Sequence, residues 1–417
     1  KVGNAVGLSL LNSTGSVVIG RDTRISGGVI EAAISAGLQA AGVNVQLAGI
    51  MPTPGVAFLT RKYKANLGIV ISASHNPYYD NGIKFFNADG GKLSAEQEQL
   101  IEQAIENAIV TNQDDKIGQS HAIFSAQRDY MDFVKDSVPR LNLDDMKIVL
   151  DAGHGATYRI APMVFEELRA HITMIGDTPN GCNINNKCGS THTKPLENAV
   201  KSNEAQVGFA FDGDGDRLVV VDEKYETVDG DEILFILANH AHQQDPLTSP
   251  VVGTSMTNMG LEVAFRELGI EFMRARVGDK HVLRLMHEHQ GRFGGETSGH
   301  LICLDHATTG DGLIAALQLV AVMQSTGKSI NELKQGFKKY PQVIVNININ
   351  DKKQAVDHFK TQSVMRESQK QLGSNGRIVL RPSGTEPVVR VMVEGENPGL
   401  VTKLAHEIGD TLKGLSL

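Results

Sequence analysis

The chain has 417 residues, 41% of them apolar, with a formal net charge of -8 and no basic stripe, a balance that excludes nucleic acid and anionic membrane surfaces as expected partners. Its longest apolar run, Leu313 to Met323, is broken by Gln318 and falls short of the ~20 residues a membrane-spanning helix needs. Three cysteines, an odd number with no signal-peptide pattern at the start, set aside a disulfide framework and point to a reducing compartment, the cytoplasm.

The length exceeds what one core holds, so two to four domains of roughly 100 to 150 residues are expected. In chain order, "SVVIGRDTRISGGVIEAAISAGLQAAG" from Ser16, "KIVLDAGHGATYRIAPMVFEELRA" from Lys147 and "VVGTSMTNMGLEVAFRELG" from Val251 share one pattern. Each predicts a short β-branched strand, a glycine-rich loop and a helix with 3.6-residue apolar spacing. Three such units imply three related α/β domains. A different order follows. "VIVNININ", a helix over about Lys352 to Leu372, the pair of strands in "GRIVLRPSGTEPVVRVMVEG" and a last helix over about Pro398 to Leu412 predict a smaller α+β domain. The expected boundaries are 1–138, 139–240, 241–343 and 344–417.

The polar motifs lie between these elements. In "GIVISASHNPYYDNGIKFF" an apolar strand ends on Ser74, His75 and Asn76, Pro77 prevents its continuation, and Lys84 follows between hydrophobic pairs. By itself this is equally a strand-to-loop turn. "VGFAFDGDGDRLVVVDE" is stronger. Asp212, Asp214 and Asp216 alternate with glycines, and three carboxylates in five residues repel one another unless a cation neutralises them; oxygen ligands suit Mg²⁺ or Ca²⁺. Glu223 stands twelfth from Asp212, as in an EF-hand, but Arg217 occupies the sixth position, where that loop needs glycine, and strands flank the motif. Arg217 beside a cation makes sense if an anion also arrives. "GGETSGH" offers Glu296, Ser298 and His300, and Glu with Ser suits sugar hydroxyls, with a turn or cap equally open. "RPSGTEPVVR" offers Arg381, Ser383, Gly384, Thr385 and Arg390, donors that fit a phosphate or simply decorate a hairpin. Cys182 and Cys188 lack zinc-knuckle spacing and are expected as buried thiols; His287 and His289 read as a solvated helix face.

"RDTRISG", "ISASHNPYYDNGIKFF", "FDGDGDR", "GETSGH" and "RPSGTEPVVRVMVEG" stand in the order in which the α-D-phosphohexomutases carry them, and the chain resembles that family over essentially its whole length. The resemblance implies four domains around one central cleft and a phosphorylated Ser74. It implies one Mg²⁺ held by the phosphoserine oxygen with Asp212, Asp214 and Asp216. Lys84, His75, Asn76, Arg24 and Arg217 match residues that surround the transferring phosphoryl group, with His75 open as the base and Lys84 open only if its surroundings lower its pKa. Glu296 and Ser298, with His300 in the same loop, match the sugar contacts; Arg381, Ser383, Gly384, Thr385 and Arg390 match the distal phosphate site. The implied partners are a hexosamine phosphate and its 1,6-bisphosphate, with the mannose and glucose phosphates as the alternative, and the implied assembly is a monomer or homodimer. The family pattern also carries a strand and a "GTDGIRG"-like loop ahead of the first helix, in which Lys1 is expected to fall. Thr297 departs from the pattern, an amide residue being more usual there.

Two other classes compete. A phosphatase or serine hydrolase would use Ser74 as nucleophile, but His75 cannot readily swing onto its own neighbour, and no Gly-x-Ser-x-Gly elbow is present. A non-catalytic sugar-phosphate sensor would not need Ser74 together with three aspartates. Release of inorganic phosphate marks the first, and absence of turnover the second.

Overall fold

The computed structural model describes residues 1–113, 116–383 and 387–415. They form two compact units, Lys1–Ser255 with Met273–Lys334, and Met256–Phe272 with Gln335–Leu417.

The first unit holds three sheets of related topology. The first runs Ile83–Asn87, Leu67–Ile71, Ser16–Arg21, Asn44–Ile50, Ser120–Ala122 across the sheet. Its inner pairings are parallel and only the outermost strand, Ile83–Asn87, is antiparallel to its neighbour. The second sheet runs Thr227–Val228, Leu218–Val221, Val207–Phe211, Lys147–Asp151, His171–Ile175, again with a parallel centre and an antiparallel return after Val207–Phe211. In the third, Phe293–Gly295 lies parallel to Val251–Thr254 and antiparallel to Leu301–Cys303. Each sheet therefore contains one parallel strand that leaves through a polar loop and returns antiparallel. Those three loops are residues 72–82, 212–217 and 296–300, which carry the motifs with Ser74, the aspartates and Glu296. Ligand loops at the carboxyl ends of parallel strands are the rule in open α/β sheets.

The strands feeding these loops are apolar throughout because helices cover both faces. Leu67–Ile71 and Val207–Phe211 are buried at every position. Helix Gly27–Ala40 supplies Ile34 and Leu38 to the core formed with Val17, Ile19 and Ile69, each such side chain contributing roughly 1.5–3 kcal/mol by burial. On the other face helix Thr53–Lys62 closes tightly onto the strands: a Cβ at Gly20 would lie 2.4 Å from Val56 and one at Gly68 2.3 Å from Thr60. That approach brings Thr53, at the helix start, to the aspartate loop.

In the second unit the strands Gln342–Asn348, Val388–Gly395 and Gly376–Pro382 form an antiparallel sheet with Val388–Gly395 in the centre. Val389, Val391 and Val393 pack against Val401, Leu404 and Ile408 of helix Pro398–Lys413. The single helix expected over Lys352 to Leu372 is two, Lys352–Asp357 and Phe359–Leu372. His358 is extended (φ -62°, ψ 137°); its ring accepts from the Lys360 N–H and so starts the second helix. Helix Met259–Leu268, although its sequence belongs to the third strand–loop–helix repeat, lies in this unit. The reason is local: Asn258 exchanges two hydrogen bonds with the Tyr340 backbone, and Arg377, paired with the fully buried Glu394 at 2.7 Å, donates to the Thr257 carbonyl. No helix among the described residues is long and apolar enough to cross a membrane.

Candidate active site

Ser74 ends a buried strand with a left-handed backbone, φ 52°, a conformation uncommon for a residue with a Cβ. Neighbouring groups hold it there. Its N–H donates to Ser72 Oγ at 2.9 Å, and the Asn76 N–H donates to the Ala73 carbonyl at 3.1 Å. Arg24, buried at 2% exposure, donates to the carbonyls of Pro77 (2.6 Å), Ser74 (3.0 Å) and Asn76 (3.0 Å), and through Nε to Asp22 at 2.9 Å. These are four bonds from a group with five donors. Burial pushes the Asp22 carboxyl up despite the Arg24 charge beside it.

The loop presses Ser74 onto the aspartates. Ser74 Oγ donates to Asp212 Oδ2 at 2.6 Å, and a Cβ at Gly213 would sit 2.6 Å from the Ser74 carbonyl, so glycine is required for this approach. Lys84 reaches in from the antiparallel return strand, its Nζ 2.7 Å from Asp214 and 2.9 Å from Asp216. Thr53 grips Asp214 twice, Oγ1 to Oδ2 at 2.5 Å and N–H to carbonyl at 2.8 Å. The Arg217 N–H donates to Asp212 Oδ1 at 3.2 Å. Burial raises the Asp212 carboxyl well above the carboxylate range, and Asp216 and Asp214 raise it further. For Asp216, burial is outweighed by Lys84 and His300, which hold it well below. Burial would lower Lys84, but Asp214 and Asp216 win and raise it; burial and then Arg217 lower His75, whose Nδ1 is 3.4 Å from Ser74 Oγ.

The three aspartates bring ligand oxygens within 4.8 Å of one another. Oδ1 of Asp214 and Oδ1 of Asp216 are buried and have no hydrogen-bond partner among the described residues. Buried unpartnered carboxylate oxygens are expensive, and an all-oxygen set of this kind suits a hard divalent cation. The cluster is compatible with a metal site.

The third loop divides. Glu296 is half-buried and accepts from the Gly278 N–H at 2.9 Å; Ser298 is exposed. His300, grouped with them by sequence, is 4% exposed and turned elsewhere: Nε2 is 3.3 Å from Asp279 and Nδ1 3.8 Å from Asp216, and Asp279 pairs in turn with Lys92. A Cβ at Gly310 would run into the His300 ring at 2.3 Å. Thr297, the departure from the family pattern, donates to the buried Asp231 carboxylate at 3.0 Å, so its side chain is committed to the loop's own packing.

In the second unit Arg381 and Arg390 stand directly opposite each other on paired strands, both exposed. With Met256, Ile344, Asn346, Val379 and Met392 they line a cavity of about 470 Å³. Ser383 is largely buried, its N–H donating to the Val388 carbonyl at 2.8 Å and its own carbonyl accepting from Lys352 at 2.5 Å. Gly384 and Thr385 lie outside the described residues. Cys182 corrects the expectation of two buried thiols. It is exposed, because the turn in which its N–H donates to Asn180 Oδ1 at 2.9 Å turns it outward, whereas Cys188 is buried and its thiol pushed up to about 12 by burial. His287 and His289 are exposed on helix Asp279–His289.

Sequence reasoning missed Asp22, Ser72, Thr53 and Asn185. Asp22 stands two residues before Arg24, which was a usable signal; Thr53 simply starts a helix and Asn185 lies in an ordinary-looking turn, and their contacts are 161 and 111 residues away.

Three related α/β sheets, each sending one loop from a parallel strand, set a serine against three aspartates, and comparison with known proteins identifies this arrangement as that of an isomerase of the phosphohexomutase type. The four domain models of the phosphoglucomutase/phosphomannomutase family match in order: α/β/α domain I at residues 1–111, domain II at 128–226, domain III at 229–340 and the C-terminal domain at 344–411. The chain belongs to the phosphoglucomutase/phosphomannomutase family. It is 50% identical to the phosphoglucosamine mutase of Methylococcus capsulatus over 94% of this chain and 88% of that protein. It is 48% identical to the phosphoglucosamine mutase of Proteus mirabilis over 99% and 93%. Among solved structures, a phosphoglucomutase/phosphomannomutase family protein of Burkholderia thailandensis shares the fold with a TM-score of 0.82 at 24% identity, covering 99% of this chain and 92% of that one. The N-acetylphosphoglucosamine mutase of Aspergillus fumigatus, in complex with GlcNAc-6P and magnesium, superposes with a TM-score of 0.66 at 17% identity over 86% and 92%.

Proposed function

We propose that the chain interconverts glucosamine 6-phosphate and glucosamine 1-phosphate through a phosphorylated Ser74 and a 1,6-bisphosphate intermediate. The observation that carries the reading is Ser74 Oγ, 2.6 Å from Asp212 at the edge of a buried three-aspartate cluster; the identity to phosphoglucosamine mutases over nearly the whole chain supports the choice of sugar.

In the first half-reaction a sugar hydroxyl oxygen attacks the phosphoserine phosphorus, the bond from phosphorus to Ser74 Oγ breaks, and the hydroxyl proton is passed on so that Ser74 leaves as an alcohol. His75, held below its ordinary range by burial and Arg217, can take that proton, whereas Lys84, which Asp214 and Asp216 keep in its charged form, supplies positive charge beside the transferring group. The bisphosphate then turns around, and its other phosphate returns to Ser74 Oγ with the protons moving in reverse. Asp212, Asp214 and Asp216, with a phosphoserine oxygen, would hold Mg²⁺, which when bound neutralises charge on the transferring phosphoryl group. Arg217 adds positive charge there, while Arg24 and Asn76 keep the serine loop in place. Glu296 and Ser298 bind sugar hydroxyls, and His300 supports Asp216 from behind. Arg381, Ser383, Gly384, Thr385 and Arg390 take the phosphate that is not being transferred.

A coupled assay on the glucosamine, glucose and mannose phosphate pairs, with protein primed by a sugar bisphosphate, tests this. The glucosamine pair is expected to lead by at least ~10-fold in kcat/KM, about 1.4 kcal/mol. Equal or better turnover of another pair would move the protein to that branch; stoichiometric release of inorganic phosphate would replace the mutase reading with a phosphatase.

A further inference from the structure

We infer that Asn185 is a positioning residue for phosphoryl transfer at Ser74, acting from the second α/β domain on the backbone of the serine loop. The inference rests on the mutase reading above for its kinetic consequence, and on geometry alone for its structural one. Asn185 Nδ2 donates to the Ser74 carbonyl at 2.9 Å and to the Asn76 carbonyl at 3.1 Å. Arg24 Nη2 donates to the same two carbonyls at 3.0 Å each. A peptide carbonyl offers two lone pairs, so each of these oxygens is saturated by one donor from its own domain and one from the next. Two carbonyls facing the amide also fix its orientation, since an oxygen placed there would repel both.

The side chain is in a strained and specific setting. Asn185 has φ 57°, and its Oδ1 is buried with no hydrogen-bond partner among the described residues. Gly213, between two of the aspartates, would carry a Cβ 2.6 Å from the Ser74 carbonyl and 2.8 Å from Asn185 Nδ2. Glycine there is what lets serine loop, amide and aspartate loop meet. An unsatisfied buried oxygen beside a satisfied amide nitrogen is explained if the nitrogen's two bonds are the purpose of the residue.

Asn185 is not needed to hold its own loop. That loop is anchored by backbone: the Asn185 N–H on the Gly153 carbonyl (2.8 Å), the Gly189 N–H on the buried Asp151 carboxylate (2.8 Å) and the Ser190 N–H on the Phe211 carbonyl (3.1 Å). The Gly181 carbonyl adds a bond from the Ile25 N–H at 2.9 Å. Removing the amide therefore leaves the second domain intact and takes one of two donors from each carbonyl, loosening the backbone that keeps Ser74 at φ 52° and its Oγ on Asp212.

The test is Asn185→Gly, which suits the positive φ, with the isosteric Asn185→Asp as a second variant that turns an oxygen toward both carbonyls. Three quantities are read on the full chain: kcat and KM for glucosamine 6-phosphate after bisphosphate priming, amide hydrogen exchange over residues 72–80, and the melting temperature. Displacement of a reacting atom by about 1 Å lowers rate by about 10²-fold, so kcat should fall about that far in Asn185→Gly while KM stays within about threefold. Exchange at Ser74 and Asn76 should quicken, melting should move by less than about 2 °C, and Asn185→Asp should be as slow or slower. A kcat within about threefold of wild type, or unchanged exchange in both variants, overturns the inference. A wild-type chain that exchanges normally but turns over no sugar phosphate counts against the mutase reading, and exchange then decides the role of Asn185 by itself.

Discussion

The serine loop at residues 72–82 and the arginine-bearing hairpin at residues 381–390 are built on opposite principles. Ser74 is over-determined: Ser72, Arg24, Asn185 and Asp212 all fix one residue, and the glycines around it leave no spare volume. Arg381 and Arg390 are exposed on a hairpin face beside a cavity of about 470 Å³. The difference follows from the chemistry proposed for each. A reacting oxygen must be held within a fraction of an ångström of its productive place, whereas a holder that receives first one phosphate and then the other of a bisphosphate must adapt, and long arginines on a wet surface do that at little loss.

The sharpest way to break this comparison is to remove the reacting atom. Ser74→Ala should lose turnover by at least about 10³-fold with its melting temperature essentially kept, because one half-buried hydroxyl is deleted. Phosphate incorporation followed by intact mass should vanish with it. Turnover near wild type would end the phosphoserine mechanism.

The aspartate cluster comes next. Asp214→Ala leaves Asp212 and Asp216 but removes the carboxylate that Thr53 and Lys84 hold, and Mg²⁺ affinity by calorimetry should fall about 10²-fold, with turnover following it. Undiminished affinity would reassign the metal. On the adaptable side, Arg390→Ala should lower kcat/KM by about 10-fold, since remote binding energy helps place the reacting end, and it should leave Mg²⁺ affinity as it is. Loss of metal binding in that variant would contradict the separation of the two roles.

The smallest effect concerns the frame that keeps the first unit rigid. Asp311 is buried at the start of helix Gly312–Thr326, accepting from the Leu313 and Ile314 N–H groups and from Tyr130 Oη at 2.9 Å. Burial raises its carboxyl from 3.8 to about 6. A folded-state value above the unfolded one means that the folded chain takes up a proton between those limits. Stability from this group is therefore fullest below pH 3.8 and is lost as pH rises past about 6, a swing of about 3 kcal/mol at most. Asp311→Asn keeps the cap and stays neutral. Its melting temperature should gain on wild type by a few degrees between pH 4.5 and pH 7.5, with turnover unaffected; a constant difference across that range would show that Asp311 does not titrate there.

Much of the site was legible because phosphoryl chemistry needs its residues close together in sequence. Three aspartates in five residues cannot hide, and Ser74-His75-Asn76 after a strand cannot easily be packing. The fold was legible for a similar reason: β-branched runs, glycine loops and helical spacing repeat three times, and the local rules that make each element act over a few residues. The places where sequence fell short share a cause. The break at His358 depends on a ring that caps the following helix. His300, two residues past Ser298 in the same loop, lies against Asp216 and Asp279, carboxylates brought to it from other elements.

By itself, then, the amino-acid order determined most of the elements, their repeat, the cluster of three carboxylates and the serine that ends its strand, since each of these is set by neighbours along the chain. Only the tertiary structure decided that Thr53 would orient Asp214, that Gly213 would admit the Ser74 carbonyl, and that Asn185 would reach it across a domain junction. Those are contacts between residues more than a hundred positions apart, made by side chains common in any turn. Their meaning comes from the donor, acceptor or empty volume that folding places opposite them.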